Sequence, residues 1–464
     1  MSLPLRTLTG PLLFVALSCA PAQETLRDDS TDAPDVVVVG GGLMGSSTAW
    51  QLARAGEKVL LLEKQGSVYT EGSSLGAARI ARSLGPPGDV WSYLHNRTVA
   101  EVEELVAFLK ERGDSVEMTD VYTTSPVNYV RHESRWPGYA YLPEQSDRYE
   151  LATTPSEAAE LFGLAMPEDV FLVRELEEHS GTIDPSALIG LLHRGILAAG
   201  GRVEYGREVE RLTKVDGGYE LSVSDGTSME TLRAVRVVSA AGPYTGRLLA
   251  EVAPAVDRLV KPERVFLAFF EVDEALWGAW SAEERQRLVD LFPAINSVVP
   301  VRVESAFSMI ESRTEDGRPV IKIGGHFQRS DIKDLDSIWQ QELSASEVDW
   351  ARSALLRHLA LLGEDLDAEA VPLVDGYSCV YSLTSDEVPY VTPWIGKDGA
   401  EDPSLVIVAG LSGVGAKGAL AYGVLAADLV LGRTESDESY VKARETLGVE
   451  HLRRDLVALS AAGH

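Results

Sequence analysis

Residues 36–63 read VVVVGGGLMGSSTAWQLARAGEKVLLLE, and this stretch decides the fold. The four valines predict a buried parallel strand, and the residues through 55 predict a helix that begins in a glycine-rich turn. The apolar residues 59–62 predict a second strand, which ends at Glu63. Together these segments indicate a complete βαβ unit of the kind that binds a dinucleotide.

The three spaced glycines of this unit have separate physical roles. Gly40 is expected to permit the tight turn, Gly42 to let the backbone approach a pyrophosphate, and Gly45 to let the helix pack closely on the strand. The helix start would offer N–H groups and a partial positive charge to the phosphates. Glu63 lies where a carboxylate accepts hydrogen bonds from the adenosine ribose, which favours FAD or NAD over NADP.

Composition limits the classes of function. A chain of 464 residues is long enough for two domains, and its formal net charge of −29 argues against a nucleic-acid-binding protein, which needs a basic face. The two cysteines, Cys19 and Cys379, stand far apart in unlike contexts, so the sequence predicts no disulfide framework. Neither cysteines nor histidines have metal-ligand spacing, and we predict no metal site.

Residues 1–34 are expected to form a leader and linker outside the fold. Arg6 and the apolar run at 10–17 are typical of a secretory signal, and the run is too short to cross a bilayer. Residues 16–19 resemble a lipoprotein cleavage box, which would make Cys19 a lipid anchor. A misassigned start codon is the alternative, and it would leave the protein in the cytoplasm.

The rest of the chain alternates between strand and helix patterns. We predict helices over residues 90–112, 184–199, 276–291 and 344–362, and a last helix that ends at residue 431. The predicted strands cover residues 203–212, 219–223, 231–238, 265–272, 319–324 and 405–408. Short strands, aromatics and prolines fill residues 114–174.

Four ordered motifs carry a resemblance to a known family. They are the glycine fingerprint, the loop at 72–82, the segment IKIGGH at 321–326, and the C-terminal pair CVYS at 379–382 and GLSGVGAK at 410–417. From about residue 35 to 433 the chain resembles the FAD-dependent amine oxidases of the monomeric sarcosine oxidase group. That group includes N-methyltryptophan, pipecolate and fructosyl-amino-acid oxidases and belongs to the D-amino-acid-oxidase-like superfamily.

The resemblance implies an α/β (α+β) protein with two domains. A discontinuous, Rossmann-like FAD-binding domain would comprise residues 35–113, 175–253 and 386–450. An antiparallel-sheet substrate domain, residues 114–174 and 254–385, would be inserted into it. The resemblance further implies FAD as the cofactor and a monomeric protein.

The resemblance also assigns roles to single residues. Cys379 matches the cysteine that bonds to the flavin 8α carbon, and Arg79 matches an arginine near the flavin ring. The expected cofactor contacts, with those from the fingerprint, are Gly40, Gly42, Leu43, Met44, Gly45, Glu63, Lys64, Ser73, Arg79, Val209, Ala241, Gly242, Cys379, Gly413, Gly415 and Lys417.

Five residues are expected to act in catalysis. Arg82 and Lys417 match the two cations that hold the substrate carboxylate, and an arginine fork with a lysine point charge suits that task. Lys322 matches the lysine that promotes the reaction of reduced flavin with dioxygen; its alternative is a lysine on the solvent face of a half-exposed strand. His326 and Tyr381 match side chains that line the substrate cavity.

Two residues depart from the family pattern. Leu75 and Val414 stand where the family usually has histidines near the flavin. The cavity is therefore expected to be less polar, and a larger or more apolar secondary amine than sarcosine becomes plausible as the substrate.

These residues predict an FAD-dependent oxidase of N-methyl amino acids that produces an imine and hydrogen peroxide from an amino acid and dioxygen. Two alternatives stay open. One is a dehydrogenase of the D-amino-acid or glycine type, which passes electrons to a quinone or a carrier protein. The other is an exported flavin-binding protein without catalytic activity.

Overall fold

The computed structural model describes residues 25–26, 33–297, 305–325, 327, 330–332, 334–339, 341–363 and 366–462. In this part of the chain the strands form four sheets. The strands are β1 (Thr25–Leu26), β2 (Val36–Val39), β3 (Val59–Glu63), β4 (Arg79–Arg82), β5 (Tyr122–Thr124), β6 (Val127–His132), β7 (Tyr149–Ala152), β8 (Val170–Glu175), β9 (Ser180–Ile183), β10 (Arg202–Tyr205), β11 (Glu208–Val215), β12 (Gly218–Ser224), β13 (Met229–Ala234), β14 (Arg236–Ser239), β15 (Lys261–Glu271), β16 (Ala294–Ser297), β17 (Ala306–Arg313), β18 (Pro319–Gly325), β19 (Ser330–Asp331), β20 (Leu373–Leu383), β21 (Tyr390–Ile395) and β22 (Glu401–Ala409).

The α-helices pack on these sheets. They are α1 (Leu43–Arg54), α2 (Val90–Lys110), α3 (Pro155–Phe162), α4 (Pro185–Ala198), α5 (Thr245–Leu248), α6 (Val256–Leu259), α7 (Glu274–Ala279), α8 (Ala282–Asp290), α9 (Ala345–Leu359), α10 (Ala419–Leu431), α11 (Glu438–Leu447) and α12 (Val449–Ala462).

A six-stranded sheet in the order β10-β3-β2-β14-β22-β21 contains the glycine fingerprint. Its strands are parallel except for the edge strand β21, which runs antiparallel to β22. Val36 and Val38 pack with the helices α1, α4 and α10 on one face, while Val37 and Val39 pack in a second core with β12 on the other. A parallel strand covered on both faces is apolar at every position, which explains the run of four valines.

A nine-stranded sheet forms the second large layer, in the order β19-β15-β18-β17-β16-β6-β8-β7, with β20 paired to the other edge of β15. Its neighbours are antiparallel except for β16 and β6. Helix α9 covers one face, where its apolar side chains join those of β15 and β18. The long strand β15 therefore separates Lys322 on β18 from Cys379 on β20.

A three-stranded sheet, β4-β9-β5, carries both arginines that the sequence singled out near the cofactor. In its register Arg79 lies opposite Ile183, and Arg82 lies opposite Ser180. The remaining sheet, β1-β13-β12-β11, packs beside the six-stranded one through Leu212 and Leu221.

The mixed α/β architecture confirms the predicted fold class, but several predicted elements were wrong in extent. The predicted strand 203–212 is broken at Gly206, which adopts a left-handed φ of 64°, and its halves join two different sheets. The predicted strand 231–238 divides in the same way between β13 and β14. The predicted helix 276–291 ends at Ala279, and Ser281 caps a new helix with a side-chain hydrogen bond to Glu284 N.

Helices α3, α5, α6, α11 and α12 were not predicted. Within the described residues, no helix combines the length and apolarity needed to cross a membrane. The leader interpretation, including the lipid anchor at Cys19, lies outside the described residues. The domain boundaries stay a prediction, although every strand of the six-stranded sheet falls inside the ranges assigned to the cofactor domain.

Candidate active site

A cavity of about 950 Å³ runs from the glycine fingerprint to Lys417. Its walls come from the carboxyl ends of β2 and β3, from β15, β18 and β20 of the nine-stranded sheet, and from the loop before α10. Ligands of open α/β sheets bind at the carboxyl ends of the strands, and the volume matches the upper range of small-molecule sites, roughly 300–1,000 Å³.

Steric contacts explain the fingerprint glycines. Gly40 has a φ of 101°, and a Cβ there would lie 2.5 Å from the carbonyl oxygen of Ala240. A Cβ on Gly45 would lie 1.8 Å from the carbonyl oxygen of Gly40, so only glycine lets α1 pack this closely on β2. Gly42 lines the cavity and has open space, its nearest neighbour being Ser74 Oγ at 3.4 Å.

The start of α1 suits a bound phosphate. The N-cap residue Gly42 has no side chain to cap this helix end, Ser74 Oγ accepts a hydrogen bond from Leu43 N at 3.3 Å, and the first turn contains no acidic residue. Leu43 and Met44 line the cavity beside Gly42. The positive end of the helix dipole therefore faces the cavity, as in dinucleotide sites.

Glu63 stands at the end of β3 and lines the same part of the cavity. Its Oε2 accepts a hydrogen bond from Gly41 N at 2.7 Å and its Oε1 one from Gln65 N at 2.8 Å. These bonds fix the carboxylate and leave lone pairs on both oxygens for ribose hydroxyls. The geometry fits an adenine dinucleotide in the position that the sequence predicts.

Lys322 is fully buried, so the alternative of a solvent-facing lysine is wrong. Its Nζ donates to the carbonyl oxygen of Ala78 at 2.5 Å and forms an ion pair with Glu311. Burial, followed by the charge of Arg79, lowers the pKa of Lys322 to about 7 even though Glu311 raises it. The amine lines the cavity, and its lowered pKa lets it gain or lose a proton near neutral pH.

Glu311 was not identified from the sequence. Its Oε1 accepts a hydrogen bond from Ala77 N at 2.7 Å while its Oε2 contacts Lys322. One carboxylate thus connects β17, β18 and the loop before β4. The strand pattern of residues 306–313 gave no sign of this, because the pairing depends on how β17 lies beside β18.

Arg79 and Cys379 lie on the same side of the cavity. The Arg79 guanidinium donates to the carbonyl oxygens of Leu75 at 2.5 Å and Ala78 at 2.8 Å, which folds the loop around it. Cys379 is a buried free thiol, and burial raises its pKa although Arg79 and Lys322 act in the opposite direction. Ser73 Oγ donates to the carbonyl oxygen of Val380 at 2.6 Å and holds the loop against β20.

Arg82 and Lys417 both line the cavity and lie close enough for the charge of Arg82 to act on Lys417. Lys417 is 8 % exposed, and its Nζ lies 5.6 Å from the centre of the Trp91 ring. Burial, followed by the charge of Arg82, lowers the pKa of Lys417 well below its usual value. Among the described residues no acid forms an ion pair with either cation; Asp89 and Glu175 act on Lys417 only from a distance, so both cations remain open to an anion.

Behind Arg82 lies a second acid that the sequence did not reveal. Tyr129 Oη donates to Glu175 Oε2 at 2.7 Å, and the Arg82 guanidinium carbon lies 5.5 Å from the Tyr129 ring centre. Glu175 is the last residue of the apolar strand β8 and is fully buried. Burial raises the pKa of this carboxyl, against hydrogen bonds from Tyr129 and Ser83 that lower it.

The cavity brings together most of the predicted site residues. Its lining includes Gly40, Gly42, Leu43, Met44, Glu63, Lys64, Ser73, Arg79, Arg82, Val209, Ala241, Gly242, Lys322, Cys379, Tyr381, Gly413, Gly415 and Lys417. Gly45 is not part of the lining and acts through packing alone. Leu75 also stays outside the lining, whereas Val414 belongs to it. His326 lies outside the described residues.

Residues 35–429 match the family model described as DAO, FAD dependent oxidoreductase. The chain is 25% identical over 428 residues to the monomeric sarcosine oxidase of Bacillus sp. (strain B-0618), covering 91% of this chain and 99% of that protein. It is 24% identical over 406 residues to the N-methyl-L-tryptophan oxidase of Salmonella dublin, covering 87% and 96%.

A solved structure shares the fold. NikD, described as an unusual amino acid oxidase essential for nikkomycin biosynthesis, superposes with a TM-score of 0.66 at 20% identity, covering 90% of this chain and 97% of that one. At this identity the likeness speaks for the fold alone.

Proposed function

Since the chain belongs to the DAO family of FAD dependent oxidoreductases, we propose that it is an oxidase of N-methyl, secondary-amine amino acids. It would convert the substrate to an imine, which water hydrolyses to an aldehyde and an amine, and it would pass the electrons to dioxygen. The relatives named for sarcosine and N-methyl-L-tryptophan oxidation support this substrate class.

One observation carries the proposal: two cations face the cavity, and none of the described acids forms an ion pair with either of them. Placing Arg82 beside the buried Lys417 is unfavourable in the absence of an anion, as the lowered pKa of Lys417 indicates. A carboxylate in the cavity would restore the charge on the lysine and accept the planar fork of the arginine. The cost of burying both cations therefore favours a carboxylated ligand.

The chain's own residues would divide the work as follows. FAD, when bound, supplies the two-electron acceptor for oxidation of the C–N bond. Arg82 and Lys417 hold the carboxylate at one end of the cavity, and such fixed orientation accounts for much of the acceleration of a bound reaction. The N-terminus of α1 and Glu63 hold the dinucleotide part at the other end.

The lining of the cavity favours an apolar substituent on the substrate. It includes Ile80, Ile295, Phe307 and Met309, and it also includes Val414 at one of the two departures from the family pattern. Burying apolar substrate surface against these side chains contributes roughly 25 cal/mol per Å². We therefore favour a substrate larger than sarcosine.

Lys322 supports dioxygen over another electron acceptor. When protonated, the buried amine places a positive charge at the cavity, where it would stabilise the negative charge that develops as oxygen is reduced. Cys379 would hold the flavin through a thioether, since its buried thiol lines the cavity on the side of Arg79.

The test combines a spectrum with an amine panel. We expect the visible flavin colour of purified protein to remain in the pellet after acid precipitation, and N-methyl amino acids to yield about one hydrogen peroxide per turnover. Flavin bleaching without peroxide would replace the proposal by the dehydrogenase alternative. Bound FAD that no amine bleaches would replace it by the non-catalytic alternative.

A further inference from the structure

A buried tyrosine connects Arg82 to an acid that does not line the cavity. The Arg82 guanidinium carbon lies 5.5 Å from the centre of the Tyr129 ring, and the Tyr129 hydroxyl donates to Glu175 Oε2 at 2.7 Å. Tyr129 is 2 % exposed and Glu175 is fully buried. A buried carboxylate is costly unless hydrogen bonds and a nearby charge compensate for its lost hydration, so its place behind Arg82 calls for a physical reason.

We propose that Glu175 is a positioning residue, which holds Arg82 through the Tyr129 hydroxyl in the orientation that binds the substrate carboxylate. The inference rests on the proposed function, because it takes Arg82 to be the carboxylate ligand. It adds a residue to the substrate site that neither contacts substrate nor lines the cavity.

The hydrogen bonds of the network have one consistent direction. The Ser83 backbone nitrogen donates to Glu175 Oε1 at 2.8 Å, and the Ser83 hydroxyl lies within hydrogen-bond distance of the same oxygen at 3.0 Å and of the His179 carbonyl oxygen at 2.9 Å, which leaves Oε2 for Tyr129. Burial, followed by the charge of Glu175, raises the pKa of Tyr129 well above its usual value, so the phenol keeps its proton. With that proton given to Glu175, the phenol oxygen offers only lone pairs, which suit a neighbouring guanidinium that has only donors.

The Tyr129 side chain between them also explains why Glu175 does not contact Arg82 directly. A direct ion pair between Glu175 and Arg82 would occupy the guanidinium edge that a substrate carboxylate needs. Within the described residues Arg82 makes no such ion pair. Tyr129 lies between the Glu175 carboxylate and the Arg82 guanidinium and leaves the guanidinium edge free for the substrate. Glu175 in turn is held on β8 by Ser83, the residue directly after Arg82 on the chain.

Replacing Glu175 with glutamine tests this direction. Because the Ser83 backbone nitrogen donates at the Oε1 position, the glutamine oxygen would remain there, and its amide nitrogen would face Tyr129. That nitrogen is a donor, so the Tyr129 proton would be turned toward Arg82, which cannot accept it. Tyr129→Phe removes the connection without changing the shape of the site.

The measurement is a titration of the holoenzyme followed by the flavin absorbance. The probes are 3-phenylpropanoate and 3-phenylpropanamide, which match in shape and differ in the carboxylate. We expect Glu175→Gln and Tyr129→Phe each to raise the Kd of the carboxylate about tenfold and leave that of the amide unchanged, as for a weakened charged hydrogen bond. Tyr219→Phe is the control, since it removes a similar buried bond, to Asp402 at 2.6 Å, away from the cavity.

The outcomes separate this inference from the proposed function. Suppose that the wild-type enzyme binds the carboxylate more tightly than the amide. If the two variants then change the Kd of both probes equally, or of neither, the role of Glu175 is overturned and the proposed function stands. A wild-type enzyme that does not prefer the carboxylate overturns the substrate site itself, and the inference with it. If Glu175→Gln fails to retain flavin, Tyr129→Phe decides the matter alone.

Discussion

Replacing Lys322 with methionine should separate the two half-reactions of the enzyme. Burial lowers the pKa of this amine to about 7, so its charged form is still present at neutral pH. A unit charge acting on a developing oxygen anion ~4 Å away contributes roughly 4 kcal/mol at an effective dielectric constant of ~20. Since ~1.4 kcal/mol corresponds to a tenfold change in rate, we expect flavin reoxidation to slow by about 100- to 1,000-fold.

The fold should survive this substitution. Burial lowers the pKa of Lys322, so the environment disfavours the charge that the substitution removes. Methionine has a similar length but leaves Glu311 without its cation partner, so we expect a modest fall in the melting temperature and a protein that still folds. The lost rate would then reflect the missing charge rather than unfolding.

Stopped-flow absorbance measures both half-reactions separately. Anaerobic mixing with substrate gives the rate of flavin reduction, which should change less than about tenfold because Lys322 is not assigned to the substrate carboxylate. Mixing reduced enzyme with dioxygen gives the rate of reoxidation. Lys261→Met, an exposed lysine at the start of β15, is the matched control. Equal slowing of both half-reactions, or an equal effect of the control, would refute the reasoning.

Four further predictions follow from the same contacts. Flavin reoxidation should slow as the pH rises through about 7, because the charged amine of Lys322 is the form present below its pKa. Glu311→Gln should move that decline to lower pH, because it removes the partner that raises the pKa of Lys322. A reoxidation rate constant that is independent of pH in both enzymes would contradict this. Lys417→Met should raise the KM of carboxylated substrates about 100-fold while raising the melting temperature, since it removes an unpaired buried cation; calorimetry and steady-state kinetics measure the two effects. Cys379→Ala should release the flavin into the supernatant on acid precipitation, and a coloured pellet would rule out that attachment site. Gly45→Ala should abolish FAD retention because its Cβ would overlap the Gly40 oxygen, whereas Gly190→Ala, in open space on α4, should stabilise the protein by about 1 kcal/mol in denaturant unfolding.

The features that the sequence predicted well are those governed by neighbouring residues. Val36–Val39 indicated a strand buried on both faces, and the spacing of Gly40 and Gly45 indicated a turn and a close contact that no side chain permits. The motifs around Arg82, Cys379 and Lys417 identified the family, and these residues line one cavity.

The errors in the predicted elements also have local causes that the apolar pattern conceals. Residues 203–212 and 231–238 are continuous in hydrophobic character, yet each is divided between two sheets. Hydrophobic periodicity reports that a segment is buried, but it does not report which partner strand buries it. Gly206 alone, with its left-handed backbone, marked the first of these breaks.

The sequence by itself determined the dinucleotide unit, because short-range steric patterns specify it, and the family resemblance of its motifs predicted the fold class and the cations of the site. Only the tertiary structure decided which carboxylates lie beside the basic residues of the site. Glu311 meets Lys322 across a strand pair whose register is set by the whole sheet, and Glu175 meets Ser83 over a separation of 92 residues. Such contacts depend on how distant segments pack. A shift of one residue in strand register would turn the same carboxylate from a buried cation toward solvent.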